Sequence, residues 1–117
     1  MGATTFKTYV PFSYPNIRDG QVRDVTTAFN YAQSRARYFH GHGGYTGTIA
    51  EKDAYGVISD EGIPYLKATK MVTTLIEDND PRIDDKWGPA GAIRIKQRQS
   101  KNHKRMDGWL FFGWASE

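Results

Sequence analysis

Between residues 21 and 39 apolar side chains recur at alternating intervals of three and four: Val22, Val25, Phe29, Ala32, Ala36 and Phe39. That spacing lays one apolar stripe along a helix and predicts a helix over 21–39. Asp19 or Asp24 favours its N-terminal end through the macrodipole, Arg35 and Arg37 suit its C-terminal end, and Gly41 is a natural stop. Tyr65, Ala68, Met71 or Val72, Leu75 and Ile76 form a second stripe behind Pro64, a residue suited to a first helical turn. Thr69, Thr73 and Thr74 pull the other way, because β-branching favours strand. Asn79-Asp80-Pro81 ends the element in either case.

The remaining pattern is that of strands. Residues 4–12 are β-branched and aromatic with rough alternation, and Pro11 and Pro15 stop them. Residues 45–50 and 55–58 read as short strands, either one bent strand or a hairpin around Lys52-Asp53. In residues 92–98, Ile93 and Ile95 face one way while Arg94, Lys96 and Arg98 face the other. Residues 108–115, Gly-Trp-Leu-Phe-Phe-Gly-Trp-Ala, are apolar on both faces, which fits a strand buried on two sides or one with a core side and a contact side. The last two strands pair as an antiparallel hairpin. The expected fold is α+β: one domain over residues 1–117, a mainly antiparallel sheet of four to five strands, and two helices packed on one face.

Composition narrows the functional classes. A chain of 117 residues with 38% hydrophobic and 25% charged residues is globular material for one domain. There is no cysteine, so disulfide and thiolate chemistry are excluded and any metal would need histidine and carboxylate ligands. No apolar run approaches the ~20 residues that span a bilayer, and no N-terminal stretch resembles a signal peptide, so a cytoplasmic setting without a membrane partner is expected. The net charge of +3 permits a polyanionic partner without requiring one.

Candidate chemistry concentrates in two places. The run from His40 to Thr48 holds four glycines, two histidines, two threonines and a tyrosine. A bend of this kind can turn successive backbone amides toward an anion, so Gly43, Gly44, Tyr45, Thr46, Thr48 and Lys52 are candidate ligand-binding residues. The bend follows a helix rather than opening one, which gives the macrodipole the wrong sign for phosphate, and neither a Walker nor a dinucleotide pattern is present. The competing reading is a helix cap and a tight connection. His40 and His42, with Glu51, form a candidate acid–base or hydrolytic set, though hydrolytic metal sites need more ligands than this stretch supplies. No metal and no cofactor are expected.

The second place is basic. Arg94, Lys96, Arg98, Lys101, Lys104 and Arg105 lie in a stretch without an acid. Alternate residues on a strand sit ~6.6 Å apart, near the spacing of successive phosphates, so these six are candidate nucleic-acid contacts, with Trp109, Phe111 or Tyr45 as stacking faces. A solvated hairpin tip that discourages edge aggregation is the equal alternative. The acidic stretch 77–85 precedes it and lacks calcium-loop spacing, so it reads as a solvated turn or a partner for the basic hairpin.

Three blocks, Gly44-Tyr45-Thr46-Gly47-Thr48-Ile49-Ala50-Glu51-Lys52, Lys86-Trp87-Gly88-Pro89-Ala90-Gly91-Ala92 and Leu110-Phe111-Phe112-Gly113-Trp114-Ala115-Ser116, resemble those of small bacteriophage-encoded accessory proteins. The resemblance spans most of the chain. It implies a phage protein acting in the cytoplasm of an infected bacterium, and it carries no catalytic residues. From residues and resemblance together, the leading expectation is a non-enzymatic protein that binds a nucleotide or nucleic acid and interferes with a host process. The alternatives are a small hydrolase or phosphoesterase using His40, His42 and Glu51, and a protein-interaction module. The last would bind a host protein or form a homo-oligomer through the strand from Trp109 to Trp114.

Overall fold

The computed structural model describes residues 3–11, 25–40, 48–49, 52, 54–83, 88–96 and 107–116. Among them the element order is β1 (Ala3–Pro11), α1 (Val25–His40), β2 (Tyr55–Ile63), α2 (Tyr65–Glu77), β3 (Ala90–Ile95) and β4 (Gly108–Ser116). The four strands form one sheet in the order β1-β4-β3-β2. β4 runs antiparallel to both β1 and β3, while β2 and β3 are parallel. The α+β class and a mixed, mainly antiparallel four-stranded sheet therefore agree with the sequence reading.

The helices do not share a face. Along β4, Trp109, Phe111 and Ala115 join the cluster beneath α1, with Phe6, Val10, Ala28, Phe29 and Ala32. The intervening Leu110 and Phe112 join the cluster beneath α2, with Ala68, Val72, Ile93 and Ile95. Side chains alternate across a strand, so α1 and α2 cover opposite faces, correcting the one-face expectation. The physical reason is the direction of the strands. β1, β3 and β2 all run the same way, and the chain crosses the sheet from β1 to β2 through α1, then returns to β3 through α2. Crossovers between parallel strands are right-handed with few exceptions, so reversing the direction of travel moves the helix to the other face.

β4 is buried on both faces and paired along both edges. That satisfies its two-sided apolar pattern and removes the basis for a homo-oligomer through Trp109–Trp114. Residues 48–49 form a bend and a short turn rather than part of a 45–50 strand, with the Lys52 N–H donating to the Ile49 carbonyl at 3.0 Å. Ile49 is buried in the α1-side cluster, and an alternating strand would not supply that inward fold.

The threonines of α2 are accommodated by bonding backward. The hydroxyls of Thr69, Thr73 and Thr74 donate to the carbonyls of Leu66, Thr69 and Lys70 at 2.8, 3.1 and 3.2 Å. Such bonds satisfy the hydroxyl inside a helix at a small cost in helix stability. The helix ends in a Schellman turn: the Asp80 N–H donates to the Leu75 carbonyl and the Asn79 N–H to the Ile76 carbonyl, with Asn79 at φ 51°. Glycine takes that conformation without a Cβ penalty, so Asn79→Gly is expected to raise stability by about 0.5–1 kcal/mol. A urea melt at neutral pH checks the sign. Beyond the turn, Asp80 pairs with Arg82 within the acidic stretch itself, through Nε–Oδ1 and Nη2–Oδ2 bonds of 2.9 and 3.0 Å. The Arg82 side-chain bonds hold the Asp80 carboxyl below its ordinary range.

Candidate functional site

A cleft of about 340 Å³ opens between α1 and β1, within the size range of small-molecule pockets. Its apolar lining comes from Phe6 and Val10 of β1, Ala32 and Ala36 of α1, and Ile49. Amphipathicity explains the helix side: Ala32 and Ala36 are one turn apart on the buried stripe, and their small side chains leave room above β1. Its polar lining comes from Tyr31 and Arg35 one turn apart on α1, Thr8 on β1, and Thr48. The Arg35 guanidinium approaches the Tyr31 hydroxyl at 3.4 Å. Lys7 also borders the cleft, but strand alternation directs its side chain to the α2 face, where its neighbour Tyr9 packs. No carboxylate lines this cleft among the described residues.

Gln33 and Lys52 hold the turn that brings Thr48 here. Gln33 is buried on α1, and its amide donates to the Lys52 carbonyl and, at 3.4 Å, to the Ile49 carbonyl. A side-chain amide therefore replaces strand pairing as the partner of this backbone. Lys52 itself is 1% exposed and is not among the residues that line the cleft. A helix stripe of Phe29, Ala32 and Ala36 that includes a glutamine at position 33 was a legible signal for such a buried polar clamp.

The other candidates divide as follows. Thr48, of the glycine run, lines the cleft. His40 is the last residue of α1, while His42, Gly43, Gly44, Tyr45, Thr46 and Glu51 lie outside the described residues. Of the basic hairpin, Arg94 and Lys96 are exposed, and Arg98, Lys101, Lys104 and Arg105 lie outside the described residues. Arg94 shares the face of Ala90 and Ala92, the α1 face, and falls in one cross-strand row with Trp109 and Val10. Two strand spacings, roughly 9–10 Å, separate Arg94 from the cleft-lining Val10. Trp109 and Phe111 are core residues rather than stacking faces, because β4 is interior.

Comparison with protein families, with curated proteins and with solved structures found no match to this chain. No helix among the described residues is long and apolar enough to cross a membrane.

The opposite face holds a second, distinct feature. Burial, then the Asp107 charge and Tyr65, push the Tyr9 phenol up to about 12. The Tyr9 and Tyr65 rings meet edge to face at 5.3 Å. A phenol whose folded-state pKa exceeds its unfolded value of 10.0 adds stability below pH 10 and loses it as pH rises toward 12. Tyr9 is only half buried, so the contribution is on the order of 1 kcal/mol after solvent screening. Tyr9→Phe is expected to flatten the fall in stability between pH 10 and 12, as read by denaturant melts across that window. An unchanged slope would show that other groups govern alkaline unfolding.

Proposed function

We propose that this is a non-enzymatic binding protein that takes a phosphate-bearing partner on the α1 face, with a nucleotide as the ligand best matched to the cleft. The carrying observation is that Thr48, the end of the glycine run, borders the same cleft as Arg35, which no carboxylate lines among the described residues. A planar guanidinium suits a phosphate, hydroxyls of Thr8, Thr48 and Tyr31 add donors, and the apolar lining suits a base or ribose. Arg94, on the same face, extends the positive field along the sheet. On the resemblance of the three sequence blocks, we assign the protein to a phage acting on a host process in the cytoplasm of an infected bacterium.

Calorimetric titration with AMP, adenosine and a short oligothymidylate tests the reading. AMP is expected to bind more tightly than adenosine, and Arg35→Ala is expected to weaken AMP by roughly tenfold or more while leaving the circular dichroism unchanged. Equal affinity for AMP and adenosine would remove phosphate from the account. Tight oligothymidylate binding with a steep salt dependence would move the ligand from nucleotide to nucleic acid.

A further inference from the structure

We propose that a second cleft, between β1 and the last turn of α2, binds a free amino acid with a branched apolar side chain. The cleft has a volume of about 320 Å³, within the range of small-molecule pockets. Its lining includes Thr5 and Lys7 of β1 and Val72, Thr73, Ile76 and Glu77 of α2. Strand alternation carries Thr5 and Lys7 to the α2 face with Tyr9, away from the α1 cleft. Val72 and Ile76 stand one turn apart on the apolar stripe of α2.

The two walls carry opposite charges. Lys7 is the one charged residue of β1. Glu77 is the last residue of α2, where the macrodipole is negative, and no basic residue stands in that turn. The β1 wall therefore suits a carboxylate and the α2 wall an ammonium. Lys7 and Glu77 are both exposed, and neither side chain makes an ion pair or hydrogen bond among the described residues. An exposed pair gains little by closing on itself, which leaves both charges open to a ligand that bridges them. A further donor is unspent beside the β1 wall. Trp114 is the cross-strand partner of Thr5 and packs on the α2 side, and its indole N–H is buried with no acceptor. Buried polar groups are rarely left so, and a carboxylate entering beside Thr5 would supply the acceptor. Between the walls, Val72 and Ile76 offer aliphatic contact to a branched side chain. A phosphate ligand is a poor match here, because Glu77 repels it.

This site is separate from the phosphate reading, and so is its test. Isotope-labelled protein is titrated with leucine, with isocaproate, which lacks the ammonium, and with isoamylamine, which lacks the carboxylate. Amide shifts are followed by NMR. Leucine is expected to saturate with a Kd of about 1 mM or below, shifting Thr5, Lys7 and Glu77. Each analogue should bind roughly tenfold weaker. Lys7→Gln should weaken leucine and isocaproate but not isoamylamine, while Glu77→Gln should weaken leucine and isoamylamine but not isocaproate. Arg35→Ala, the variant that tests the α1 cleft, should leave leucine affinity unchanged. Failure of leucine to saturate, equal binding of all three compounds, or leucine shifts centred on the α1 cleft would overturn the proposal.

Discussion

Phe111→Ala is expected to cost about 3–5 kcal/mol of folding free energy, the range for emptying a buried phenylalanine site. Phe111 is fully buried on the central strand, and its ring meets Phe29 of α1 at 5.6 Å and Tyr55 of β2 at 6.4 Å, both edge to face. Phe29 and Tyr55 also meet at 5.0 Å, so one ring joins α1 to two strands. Aromatic pairs add about 0.5–1.5 kcal/mol beyond burial, and a site flanked by paired strands has little freedom to collapse. Small domains hold only about 5–15 kcal/mol in all, so this variant should be near the limit of folding. Tyr38→Ala is the contrast: Tyr38 is 84% exposed on the same helix and should change stability by no more than about 0.5 kcal/mol. Urea melts of both variants decide the matter. A loss below about 1 kcal/mol at Phe111 would mean the aromatic cluster is not the junction described.

Gly91→Ala is the second large effect, about 1–3 kcal/mol destabilising, through overpacking rather than a cavity. A Cβ at Gly91 would stand 2.5 Å from Cζ and 2.7 Å from Cε1 of Phe112, a buried ring on the neighbouring strand with no room to withdraw. The backbone conformation is not the issue, since Gly91 is absent from the positive-φ glycines among the described residues. Its pairing partner on the other side, Gly56, has nothing within 4 Å of where a Cβ would stand, so Gly56→Ala should be close to neutral. Adding Phe112→Leu to Gly91→Ala should recover part of the loss, a coupling that denaturant melts of the single and double variants would measure. Simple additivity of the two substitutions would sink the steric account.

The two glycines look alike in the sequence and pair with each other across β2 and β3, yet only one is sterically required. What separates them is Phe112, twenty-one positions from Gly91 along the chain and its direct neighbour across the sheet. Lys52 shows the same dependence from the other direction. Its place beside the glycine run made it a candidate ligand-binding residue, but a polar residue on the helix stripe, Gln33, fastens the turn against α1, and Lys52 is buried there.

Residue order alone determined the apolar stripes of both helices, the alternation of Ile93 and Ile95 against Arg94, and the two-sided apolar pattern of the last strand, while its burial on both faces came from its place in the sheet. The stripes, the alternation and the pattern are local quantities: they depend on the period of a helix or strand and on which side chains avoid water. Tertiary structure alone decided that β1 stands at the edge and β4 in the centre, that the helices lie on opposite faces, and that Thr48 and Arg35 border one cleft. Those outcomes depend on pairings such as Ala3 with Ser116, and on the handedness of crossovers between parallel strands. No local periodicity encodes either, because each is settled only when distant segments compete to bury the same apolar surface.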